Sequence, residues 1–225
     1  MPDELTEVAS EIIDARESLQ RALGSLARLM DTGRQDMGLG NFSQRDPRWR
    51  NDEFAGGLRF ETDGCYVCAV ANILWYAGYS DEPPVVAKAL RDAGCFSGAM
   101  LSRPHLIPTA YPGVQYNGPM DVSRDGPLRW HDGDADMERV FAELEKGPVI
   151  AEIDFQWRTQ TFNQHFVVLV EPTDDKRDIW INDPRDIWIN DPWDGSVVRL
   201  LQKYAGEYWK LERAVYGLRL LQPRM

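Results

Sequence analysis

Three β-rich runs, GPVIAEIDF, HFVVLVEP and IWIN, follow one another in the second half of the chain, separated by turn chemistry, and VVRLL and AVYGLRLL extend the series. The segments with helical pattern precede them. Thr62–Ser80 (TDGCYVCAVANILWYAGYS) opens on the cap-type residues Thr62 and Asp63, continues as an apolar run and can terminate at Gly78. Residues 81–95 form a second helical pattern, and DADMERVFAELEKG a third. Cys95–Gly133 is rich in Gly, Pro and Ser, has no periodic signal and reads as loops. Helices first and an antiparallel sheet afterwards define an α+β fold class.

Ahead of this layout, Leu5, Val8, Ile12, Ala15, Leu19, Ala22, Leu26 and Leu29 recur at alternating spacings of three and four. That is a coiled-coil seam, with Glu11 and Arg16 at the flanking charged positions, although Ile13, Leu23 and Met30 widen the stripe enough for docking on the chain's own domain. Gly33, Gly38 and Gly40 interrupt the pattern. The expected organisation is a long amphipathic helix over 1–32, a linker over 33–40 and a domain over 41–225, with homo-oligomers formed through the helix.

Composition narrows the function. Lys and Arg total 25 against 36 Asp and Glu, a net charge of −11, and no basic run is long enough to follow a phosphate backbone, which argues against nucleic acid. No stretch of 18 apolar residues suggests a membrane span, and MPDELTEVASEIIDARE has neither the basic nor the apolar region of an export signal. A cytoplasmic protein, or part of a larger assembly, is expected. Three cysteines cannot complete a disulfide framework, and Cys65 and Cys68 lack the second pair or nearby His that tetrahedral zinc requires, so reduced thiols in a reducing compartment are expected.

The same cysteines raise the question of chemistry. Cys65 falls in the first turn of the apolar helix, where unpaired N–H groups and the helix dipole stabilise a thiolate. Gly64 before it would let a substrate backbone approach. Its alternative is a small buried residue like Cys68. Of the three histidines, His165 opens the apolar run FVVLV at the mouth of a strand, whereas His105 and His131 lie in loop-like sequence. A hairpin into IWIN would bring an Asp-Pro beside His165, and a carboxylate there would fix its tautomer.

Taken in order, QRDPRW (Gln44–Trp49), TDGCYVCAVANILWYAG (Thr62–Gly78), GPVIAEI (Gly147–Ile153), QHFVVLVE (Gln164–Glu171) and INDP followed by Gly resemble the papain-like cysteine peptidases of the double-glycine-leader, bacteriocin-processing type. The resemblance covers roughly residues 41–203. It implies a papain-like fold with Cys65 as nucleophile, His165 as general base and acid, the Asp of an INDP as orienting carboxylate and Gln44 as oxyanion donor. A peptide or protein substrate is implied, with peptide or isopeptide hydrolysis and no cofactor or metal. Compact members place a Gln six residues before the Cys, where this chain has Arg59, so Gln44 would reach the site across an intervening loop. Two other functions fit the same residues: cleavage of peptidoglycan cross-bridges, and a non-catalytic assembly module on a relic peptidase fold.

One departure from the pattern is internal. RDIWINDP occurs twice in succession, Arg177–Pro184 and Arg185–Pro192, and because the repeat is eight residues long a slip between copies returns each side chain to the same face of a sheet. A hairpin using the first copy has the shorter loop and leaves fewer apolar side chains at its tip, so Asp183 is the expected partner of His165. Against it stands PWDG, the family-like continuation that follows Asp191. Finally, Asp132, Asp134, Asp136 and Glu143 have the spacing of a calcium loop, but Met137 stands where that loop demands Gly, and a helix N-cap is the better reading.

Overall fold

A computed structural model describes residues 39–122, 135–154, 164–172, 187–200, 203–204, 212 and 214–224. The expected N-terminal helix, His131, Asp132, Asp134 and Asp183 lie outside the described residues. Those that are described belong to one unit, Gly38–Met225.

The chain enters through a short hairpin, β1 (Glu53–Ala55) and β2 (Leu58–Arg59), which runs directly into the helical turn α1 (Phe60–Asp63) and then the long helix α2 (Cys65–Tyr76). Helix α3 (Pro83–Asp92) follows, then a 3₁₀ turn at Pro104–Leu106 leading into α4 (Ile107–Ala110). Strand β3 (Val114–Asp121) precedes α5 (Met137–Leu144), and the remaining strands are β4 (Val149–Asp154), β5 (Gln164–Pro172), β6 (Ile187–Asp191), β7 (Ser196–Arg199) and β8 (Val215–Pro223). β3 to β8 make a six-stranded sheet in the order β3-β8-β4-β5-β6-β7, with antiparallel pairing throughout.

Alternation along the strands sorts the core into two layers, because successive side chains leave a strand on opposite faces. On β5, Phe166 and Val168 join the cluster built around α2, which also holds Ile73, Leu74, Val86 and Leu90. Val167 and Leu169 join the other cluster, with Val140 and Leu144 of α5, Ile189 and Leu200. The sheet is therefore covered on both sides, which explains why HFVVLV reads as a continuous apolar run. Helix α2 follows from the same logic: from Val67 to Leu74 every residue is buried, so it sits inside the helical layer and not on its surface.

Three sequence expectations change. Thr62 and Asp63 do not cap the long helix; they end α1, and Gly64 is the residue that precedes α2, with no side-chain cap bond. A Cβ at Gly64 would lie 2.6 Å from the Phe60 carbonyl oxygen, so the tight α1–α2 junction itself requires glycine. Strand β3 runs through sequence expected to be loop. Its Gly118 and Pro119 coincide with a break in register opposite β8, the kind of irregularity an edge strand tolerates and a central one does not. By contrast, Gly78, at φ +91°, ends α2 where expected, and Asp136 caps α5 by accepting from the Glu138 and Arg139 N–H groups.

Candidate active site

Cys65 and His165 come together because their neighbours do. Tyr66, the second residue of α2, stacks on Phe166, the third residue of β5, with ring centroids 4.4 Å apart and planes 19° apart. This contact pins the start of the helix over the start of the strand. Cys65 is partly exposed at the first helical position, and His165 lies one residue before the stacked Phe166, 3% exposed. The imidazole shares a hydrogen bond with the Cys65 thiol. Its Nε2 is 2.8 Å from Oδ1 of Asp191.

Asp191 is wholly buried and comes from the second copy of the repeat, because β6 is Ile187–Asp191. The expectation of Asp183 in this role is therefore corrected. Pairing of Asn190 with Val168 and of Ile189 with Leu169 sets Asp191 on the same face as His165, near the end of the β5–β6 ladder. The residues after the repeat decide the register. Gly195 turns the chain at φ +73°, its N–H donates to the Asp191 carbonyl at 2.8 Å, and a Cβ there would meet the Asn41 carbonyl oxygen at 2.7 Å. Were the first copy seated instead, Ile187 would fall at that position, a β-branched residue forced into left-handed backbone against a carbonyl. Trp193 would likewise become Arg185. That change would lose the stacking of the Arg45 guanidinium on the indole, now 3.5 Å from its centroid, and put two guanidinium groups together. The turn after the strand thus outweighs the loop before it.

The carboxylate is held by more than the imidazole. Oδ1 also accepts from the Trp193 N–H at 2.9 Å, while Oδ2 accepts from the Tyr204 hydroxyl and pairs with Lys203. The Trp193 ring meets His165 edge-on, with centroids 6.4 Å apart, and the Tyr204 ring lies 5.8 Å from it. Burial of His165 works against its charged form, but the hydrogen bonds to Asp191 and Cys65 prevail and raise its pKa to about 9. For Asp191 burial likewise opposes ionisation and is outweighed by His165 and Lys203, which hold the carboxyl well below its ordinary range. Burial, reinforced by the adjacent Asp191 carboxylate, pushes the Tyr204 phenol far up, so it remains a donor. Burial also raises Cys68 well above an ordinary thiol and raises Cys95.

Gln44 is buried where two parts of the site meet. Its backbone N–H donates to the Pro192 carbonyl, 2.6 Å away and next to Asp191, and its Nε2 donates at 2.7 Å to the Glu61 carbonyl, four residues before Cys65. Its Oε1 is buried without a partner among the described residues. A second polar chain ties the same segments together: the Phe42 N–H donates to Asn72 Oδ1, Asn72 Nδ2 to Asn190 Oδ1, and Asn190 Nδ2 to Asn41 Oδ1. Asn72 and Asn190 are completely buried. Asn72 had a visible signal, as the one amide inside the apolar helix run. Lys203 and Tyr204 had none, since LLQKYAGEYW carries no motif.

Among the described residues no group of three or more His, Cys, Asp or Glu side chains could hold a metal ion, and no helix is long and apolar enough to cross a membrane. Neither a family model nor a curated protein matches the chain.

Proposed function

We propose that the chain is a cysteine peptidase with a papain-like arrangement, hydrolysing peptide or isopeptide bonds through Cys65, His165 and Asp191. The observation that carries this reading is the single line of contacts from a partly exposed thiol at the start of a buried helix, through an imidazole, to a fully buried carboxylate. A packed core needs neither a hydrogen-bonded thiol–imidazole pair nor a carboxylate buried against it, because such groups are costly to desolvate. A thiol acyl transferase needs both. The helix carrying the thiol also packs on a sheet whose strand carries the histidine, the division of labour expected of the papain-like layout.

In the proposed reaction His165 holds the proton withdrawn from Cys65, and the thiolate attacks the substrate carbonyl. The developing oxyanion is met by the Cys65 N–H, at the first position of the helix, and by the second hydrogen of Gln44 Nε2. His165 then returns its proton to the departing amine, and water hydrolyses the thioester with His165 as base. Asp191 keeps the imidazole oriented through both steps.

Incubating the full chain with a peptide library, beside Cys65→Ala, tests the proposal. Cleavage products absent from the Cys65→Ala digest are expected. Identical product patterns in the two digests would overturn it.

A further inference from the structure

Asp191 has two oxygens, and only one faces the histidine. Oδ2 is covered by the Tyr204 hydroxyl and by Lys203 Nζ, whose side chain is 23% exposed. Lys203 does not belong to Asp191 alone: it also bonds Asp194 Oδ1 at 3.0 Å and Oδ2 at 2.9 Å, and Ser196 Oγ at 3.2 Å. The lysine is thus gripped from the turn that fixes the register of β6, and its position is set by the same residues that seat Asp191. A single buried carboxylate is shared between an imidazole and an ammonium.

Resting on the reading of Cys65 and His165 as a reacting pair, we propose that Lys203, assisted by Tyr204, is a positioning residue that sets the pH range over which the pair is reactive. It acts by drawing part of the Asp191 charge away from the imidazole. Among the described residues, the titratable or charged groups around His165 and Asp191 include Cys65 from α2, Asp194 from the turn after β6, Lys203 and Tyr204 from the segment after β7, and Arg45, whose guanidinium stacks on the Trp193 ring that meets His165. Of these, only Lys203 brings a fixed positive charge to the carboxylate. Without it Asp191 would present its full charge to His165, the imidazolium would persist to higher pH, and the thiolate beside it would form at lower pH. Tyr204 contributes a donor without a charge, so its removal acts in the same direction and more weakly.

The test is the pH dependence of Cys65 alkylation by iodoacetamide on the full chain, read by mass spectrometry at the Cys65 peptide, with His165 protonation followed by NMR. In Lys203→Met the acid limb of the alkylation profile should move down, and the imidazole titration up, each by about one pH unit. Lys203→Arg should restore the native profile, and Tyr204→Phe should give a smaller shift of the same sign. A purely structural role for Lys203 would loosen Asp191 and move both curves the opposite way; that result, or unchanged curves in folded Lys203→Met and Tyr204→Phe, overturns the proposal. Should Lys203→Met fail to fold, Tyr204→Phe decides alone. An unperturbed thiol profile in the native chain would instead sink the reading of Cys65 as an activated nucleophile.

Discussion

At the scale of single residues, Asp191 and not Asp183 is the carboxylate that His165 meets, and the proposed reaction depends on it. Replacing it by Asn keeps the size but removes the charge and permits the wrong imidazole tautomer, and the expected loss in kcat/KM is at least about 10²-fold. Asp183→Asn should leave the rate unchanged, and parallel assays of the two variants check both statements. Asn72 matters to stability as Asp191 does to chemistry. Asn72→Ala strands the Phe42 N–H and Asn190 Oδ1 in a buried setting, at about 1 to 3 kcal/mol for each unsatisfied group, so denaturant unfolding should show a loss of about 2 to 6 kcal/mol. Much of this level was legible in the sequence. Cys65 and His165 were marked by a helix start and a strand start, positions that local pattern reveals. The choice between two identical INDP strings was not, because it turns on what a Cβ at one later position would strike, a fact of tertiary contact.

At the scale of elements, the duplication has a definite outcome. The second copy supplies β6, and the first, Arg177–Pro184, lies outside the described residues. Deleting residues 177–184 would leave about six residues to join neighbouring antiparallel strands, a length hairpin loops readily accommodate. The deleted chain should fold with native circular dichroism and native Cys65 reactivity; loss of folding would mean that the first copy contributes to the core. Conversely, Gly195→Ile imposes on the second copy the residue that disqualifies the first, and should destabilise by about 2 kcal/mol or more through left-handed backbone alone. Strand β6 was expected from IWIN, whereas β3 was not, because VQYNGPMD has the composition of a turn and becomes a strand only by pairing with β8 at the sheet edge. Pairing across so long a stretch of chain leaves no mark in a local window.

For the whole molecule, the linked pKa shifts of the buried pair contribute to the pH dependence of stability. His165 is raised from 6.5 to about 9, so its contribution is fully present below about 6.5 and disappears as pH rises through 9. Asp191 is depressed, so its contribution is present above the ordinary carboxyl pKa of 3.8 and is lost as pH falls. Melting temperature should therefore hold a plateau between about pH 4 and 6.5 and decline toward pH 9, and the alkaline decline should be shallower in His165→Gln. A decline of equal slope in that variant would assign the loss to other groups. The α+β class and the antiparallel sheet were legible from the order of the apolar runs. The two-layer burial of that sheet was not, because a continuous apolar run serves a strand covered on both faces and a buried helix alike.

The chemistry of the site hinges on whether Cys65 is a reactive thiolate held by His165. Brief alkylation of the native chain at pH 6, with Cys65, Cys68 and Cys95 quantified separately by mass spectrometry, addresses that point without knowledge of the substrate. An ordinary thiol of pKa about 8.5 is almost wholly protonated at that pH, so selective labelling of Cys65, lost in His165→Ala, is the expected result. Labelling of Cys65 no faster than in the denatured chain, or unaffected by His165→Ala, would contradict it.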